Sequence, residues 1–192
     1  MSETLPAVLD HIRTRHSDLI RTGPAAGLGG VSARALDLHL SHLIQFVGQA
    51  RYEPASPVLQ AIVPRFVKQG MPPAFTPVGA EARAAAIWSL GLIHEGKPDG
   101  RLVALIESRL TGDPGMGPDA PPVRRMAAIS LARMNAKQSL DALRLHSNGQ
   151  APDADIVVNA CRWAVGQLTG EPIPPAGVIE VLQKDWFLVP LP

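Results

Sequence analysis

Apolar residues recur along this chain at spacings of three and four, the period of helices that bury one face. In residues 5–21, Val8, Leu9, Ile12 and Leu19 stand among polar neighbours. Residues 32–47 carry the stripe Leu36, Leu40, Leu43, Ile44 and Val47, with Ser32 as the expected N-cap. Val58, Ile62, Val63, Phe66 and Val67 continue the pattern, and Pro64 inside it predicts a kink or a late helix start. The clearest helices are residues 81–93 (EARAAAIWSLGLI), 123–134 (VRRMAAISLARM) and 156–168 (IVVNACRWAVGQL). Alanine favours the helix because it loses no side-chain entropy there. Shorter helices are predicted at 101–110 and 140–145, and 178–182 begins another apolar segment. Alternating runs are missing, so no strand is predicted. Gly and Pro cluster at 23–30, 70–79, 112–122, 149–152 and 170–177, between the helical segments. They punctuate the chain because both residues disfavour helix interiors.

The three strong helices are copies of one another. Arg83 falls on Arg124, Trp88 on Ile129, Leu90 on Leu131, Gly91 on Ala132 and Ile93 on Met134. In the third copy Val157, Trp163, Val165, Gly166 and Leu168 fall on Val123, Ile129, Leu131, Ala132 and Met134. The offsets are 41 residues (83 to 124) and 34 (131 to 165), so the connecting loop varies in length. Large residues fill the seams between neighbouring helices, and Gly91, Ala132 and Gly166 let helix axes approach. One helix pair cannot bury both of its faces, so several must stack.

With Asp119, Pro121 and Pro122 before Val123, and Arg124, Ala127, Ala128, Leu131 and Met134 within it, this helix resembles the first-helix motif of short bacterial HEAT-like repeats. That motif reads V-R-x-x-A-A-x-A-L-G-x-I. Arg83, Ala86, Leu90, Gly91 and Ile93 match it in the earlier copy, and Val158 replaces its Arg in the last. The resemblance implies an all-α fold, an α-solenoid of stacked antiparallel helix pairs. It covers roughly residues 79–182, and the chain divides into N-terminal helices in 1–78 that fit the repeat only loosely, HEAT-like repeats in 79–184, and an apolar tail or cap in 185–192. An Arg–Asp ladder between repeats would follow from the same motif, with a gap where Val158 stands.

Composition narrows the classes. The chain has 192 residues, is 46% hydrophobic, and balances 18 Lys+Arg against 17 Asp+Glu. It is too apolar and too weakly charged for a mostly disordered chain, and near-neutral charge argues against coating nucleic acid. A single cysteine, Cys161, excludes an internal disulfide and reads as a packing residue. The start, MSETLPAVLD, has no basic region before an apolar run, and no stretch reaches the roughly 18 apolar residues of a membrane span. A cytoplasmic protein is expected, and the chain can equally be a piece of a longer protein or complex.

Candidate chemistry is sparse. His39 and His42 share a helix face but lack the accompanying ligands of a metal motif. Residues 27–32 (GLGGVS) precede a helix without the strand or Lys of a phosphate loop. Asp99, Asp153 and Asp155 read as caps and turn formers. Arg124, Arg125, Arg133 and Lys137 concentrate positive charge in one stretch, and acids exceed bases from Asp153 onward. Trp186 and Phe187 sit in an apolar tail that needs a cover, either the last repeat or a partner.

The expected function is therefore a non-catalytic scaffold for protein partners, with no cofactor, no metal, no nucleic acid and no membrane span. The candidate interaction residues are Arg124, Arg125, Arg133, Lys137, Trp186 and Phe187. Two other readings stay open. One resembles the HEAT-like phycobilin lyases, with Trp88, Trp163 and the histidines lining a tetrapyrrole groove. The other is nucleic-acid backbone binding through the basic strip.

Overall fold

The computed structural model describes residues 4–22, 33–67, 74–148 and 155–173. Within them the chain forms α1 (Thr4–Thr22), α2 (Ala33–Gln49), α3 (Ser56–Ile62), α4 (Ala80–Ile93), α5 (Gly100–Thr111), α6 (Pro121–Arg133), α7 (Leu140–Ser147) and α8 (Asp155–Thr169). Single 3-10 turns, Glu53–Ala55 and Lys137–Ser139, lead into α3 and α7. The fold is all-helical apart from one antiparallel ladder of two residues a side, β1 (Phe66–Val67) with β2 (Ala74–Phe75).

That ladder corrects the sequence reading, which ran a helix through Phe66 and Val67. Helix α3 stops at Ile62, two residues before Pro64. Proline has no N–H to donate, so the helical hydrogen bonds do not continue through residue 64, although Val63 before it keeps helical dihedrals. The expected Ser32 cap and the 178–182 segment lie outside the described residues.

Helices α2, α4, α6 and α8 pack side by side in chain order, α2 on α4, α4 on α6, α6 on α8. Helices α1, α3, α5 and α7 cover them, each packing chiefly on the helix that follows it. The shorter helices predicted at 101–110 and 140–145 follow strong helices in the chain, yet each packs chiefly on the strong helix after it. Periodicity shows that a helix needs a partner but carries no direction along the chain.

The ordered row is built by a repeated device. Ser89 of α4 donates to the Ile44 carbonyl of α2 at 3.0 Å, and Ser130 of α6 donates to the Ile87 carbonyl of α4 at 2.9 Å. Each serine lies against a glycine of the helix before it, Gly48 and Gly91. A Cβ on Gly91 would stand 2.5 Å from the Ser130 hydroxyl, so only glycine admits this approach. Helix α2 thus carries the same device as α4, although its sequence matched the repeat only loosely. At the far end of the row, the position on Gly166 is taken by Ile173 of the chain itself.

The helix ends repeat as well. Left-handed residues follow α2, α4, α6 and α8: Arg51 (φ 50), Gly96 (φ 70), Asn135 (φ 59) and Gly170 (φ 79). At α2, Arg51 and Tyr52 donate back to Gly48 and Val47, and at α6, Asn135 and Ala136 donate back to Ala132 and Leu131. Both are Schellman closures, which satisfy the carbonyls a helix end leaves unpaired.

Candidate functional site

Three arginines on α6 point in different directions. Arg124 and Arg125 are neighbours, so their side chains leave the helix about 100° apart. Arg124 turns toward the covering layer. Its Nε donates to the Leu110 carbonyl at the end of α5 (3.2 Å), and Nη2 lies 3.2 Å from His146 Nδ1 on α7. An arginine only donates, so Nδ1 accepts and His146 is the neutral Nε2–H tautomer. Burial, and then the charge of Arg124, hold the His146 pKa below its usual 6.5.

Arg133 lies opposite Arg124, and Arg125 lies about 80° round the helix from Arg133; α4, α5 and α8 are the described helices that pack on α6, and none covers the side between these two arginines. Arg133 lays its guanidinium over the indole of Trp88 on α4, 5.6 Å from the ring centre. Its Nη1 is buried with no hydrogen-bond partner among the described residues. Arg125 is half-buried, and the one influence on its titration is burial, which lowers the pKa. No described carboxylate answers it. Burial also lowers the Arg133 pKa, opposed by the charge of Glu95 and reinforced by that of Arg51. Arg51 itself pairs with Glu95 and donates to the Leu92 carbonyl at the end of α4. Lys137 is exposed on the turn before α7. The four cations predicted as one strip therefore divide, with Arg125 and Arg133 on the uncovered face and Arg124 turned away. Trp186 and Phe187 lie outside the described residues.

The uncovered face continues on both sides of α6. Trp88 shares its stripe on α4 with Glu81 and Leu92, and Glu95 follows just past the helix end. On α8 the half-buried Trp163 holds the position equivalent to Trp88, whereas on α2 that position is the buried Gln45, and Phe46 stands in the register of Ser89, at the open end of the row.

Between the layers lies a buried charge network. Arg83 of α4 grips Asp119 with two parallel bonds, 2.7 and 2.9 Å. Arg109 of α5 reaches the same carboxylate at 3.4 Å and Asp113 at 2.5 Å. Burial pushes the Asp119 pKa up, but the Arg83 hydrogen bonds and charge, the Ala120 N–H and the Arg109 charge outweigh it and hold it low. One rung of the Arg–Asp ladder is thus present. In the preceding interval Asp37 of α2 replaces it, accepting from the N–H groups of Gly79, Glu81 and Ala82 at the start of α4. Burial raises the Asp37 pKa, and these three N–H groups and Arg83 pull it back only in part.

Sequence reasoning missed several further clusters. Arg65 donates to the carbonyls of Met116, Gly117 and Pro118 and lies 5.3 Å from the Phe75 ring centre, tying the long loop to the β1–β2 ladder. Ser56 and His94 Nε2 are 2.8 Å apart, and Gln60 donates to the same hydroxyl. Ser56 is 6% exposed, so the pair joins the start of α3 to the end of α4. Only the repeated SL[GA] string at 89–91 and 130–132 signalled any of these interhelical bonds in the sequence.

The remaining candidates have local surroundings. His39 is exposed with its ring edge-on to His11, 5.9 Å between centres. No group of three His, Cys, Asp or Glu residues suited to a metal ion occurs among the described residues. Cys161 is buried, which pushes its thiol pKa up to about 12. Asp99 caps α5 through the Arg101 and Leu102 N–H groups. No described helix is long and apolar enough to cross a membrane. No family model matches this sequence, and no curated protein matches it.

Proposed function

We propose that this chain is a non-catalytic, HEAT-like α-solenoid that holds protein partners on the face of its α2–α4–α6–α8 row. The observation that carries the reading is the uncovered face itself. It presents Trp88 and Trp163 beside the half-buried Arg125, which no described carboxylate answers, and Arg133, whose Nη1 has no hydrogen-bond partner among the described residues. Aromatic and arginine side chains of this kind supply most of the binding energy at protein interfaces. The repeated Ser–carbonyl bonds and left-handed helix ends support the repeat assignment, since one device recurs at successive helices. A buried lone cysteine suits a reducing compartment, and we place the protein in the cytoplasm.

The strip reading for nucleic acid loses support because Arg124 bonds inward to Leu110 and His146. Trp88 already carries Arg133 on its ring, which leaves it less free to line a tetrapyrrole groove.

A photo-crosslinking residue at Gln167, exposed on α8 in the register of Arg133, and one at Leu145, on the covering layer, test the proposal in the cells of origin. Position 167 is expected to give discrete protein adducts and position 145 none. Equal labelling from both, or none from position 167, would sink the reading.

A further inference from the structure

We infer that the uncovered face of α6, between Trp88 and Trp163, takes an extended acidic segment of a protein partner, with carboxylates on Arg125 and Arg133. The inference rests on the scaffold reading and adds the chemistry of the partner. Its basis is charge complementarity. Arg125 is half-buried with no partner among the described residues, and the Nη1 of Arg133 is buried and unbonded. A guanidinium removed from water needs an anion or an acceptor to offset the lost hydration. Arg125 meets that need nowhere among the described residues, and Arg133 meets it only through the Trp88 ring and the charge of Glu95, with Nη1 left over.

The spacing selects the shape of the ligand. Arg125 and Arg133 are eight residues apart on α6, about 12 Å along its axis. In an extended chain, residues four apart lie about 13 Å from each other and point to the same side. Acidic residues at positions one and five of an extended segment therefore match both arginines. The residue at position three faces the same way, over Ile129, which is only 3% exposed.

Binding to the full chain can be read by calorimetry and by tryptophan fluorescence. The probes are a synthetic nine-residue peptide with two glutamates four apart and leucine midway, its glutamine counterpart, and a twelve-nucleotide oligothymidine. The glutamate peptide is expected to bind and the other two are not. Arg125→Gln and Arg133→Gln are each expected to weaken binding about tenfold with helical content unchanged. Arg101→Gln, an exposed cation on α5, is expected to leave binding unaltered. Equal binding of the glutamine peptide, preferred binding of the oligonucleotide, no binding of any probe, or indifference to both arginine variants overturns the acidic assignment. Crosslinks from position 167 that persist in such a case leave the scaffold reading standing, so the two failures are separable.

Discussion

At the scale of single residues, small and buried groups set the spacing between helices. Leu131 is fully buried, and its neighbour Ser130 bonds across to α4. Truncating a buried leucine removes its transfer energy and leaves a cavity. Leu131→Ala is expected to destabilise the fold by about 2–5 kcal/mol, measured as a lowered urea midpoint at unchanged slope. An unmoved midpoint would show that Leu131 is not at the seam. The histidines behave differently from one another for a local reason. His94 accepts from or donates to Ser56 in a half-buried site, whereas His39 meets water and one other ring. The identity and burial of Leu131 were legible from the repeat. The partners of Ser56 and Arg65 were not, because they lie 38 and about 50 residues away in sequence.

At the scale of elements, helix ends decide as much as helix interiors. Asp99 accepts from two N–H groups of the first turn of α5. Loss of such a cap costs about 1 kcal/mol, so Asp99→Ala is expected to destabilise by that amount. Hydrogen exchange should show faster opening of residues 101–103 with α6 unaffected. Faster exchange throughout the protein would contradict a local capping role. The cap on α5 was readable, since Asp before a helical run is a start signal. The cap on α4 was not. Its Gly79 offers no side-chain acceptor, and Asp37 arrives from another helix. Likewise the helix expected through Phe66 was ended by Pro64, and a two-residue ladder lay beyond it.

At the scale of the whole molecule, the titrating groups link packing to pH. Burial is the largest influence lowering the pKa of His16, His94 and His146 from 6.5. A lowered histidine pKa means that the unfolded chain binds more protons below 6.5, so acidification favours unfolding. The stability these residues permit is complete above pH 6.5 and is lost as pH falls toward their folded values. Asp37, with its raised pKa, acts in the opposite sense at lower pH, and Asp119 yields its share only below 3.8. The urea midpoint is expected to be lower at pH 5.5 than at pH 7.5, and His94→Gln should reduce the difference. Equal midpoints at the two pH values would refute this linkage.

The sequence by itself determined that the chain is helical, where most helices begin and end, and which residues recur in register. These follow from propensity and periodicity, which act over a few residues. Only the tertiary structure decided which helix pairs with which, that Arg124 turns inward while Arg125 and Arg133 share an uncovered face, and that Asp119 gathers Arg83 and Arg109. Those outcomes depend on groups brought together from distant parts of the chain, where burial makes each polar group require a partner. Helical spacing marks the side of α6 on which an arginine lies, but packing determines whether an answering charge waits there.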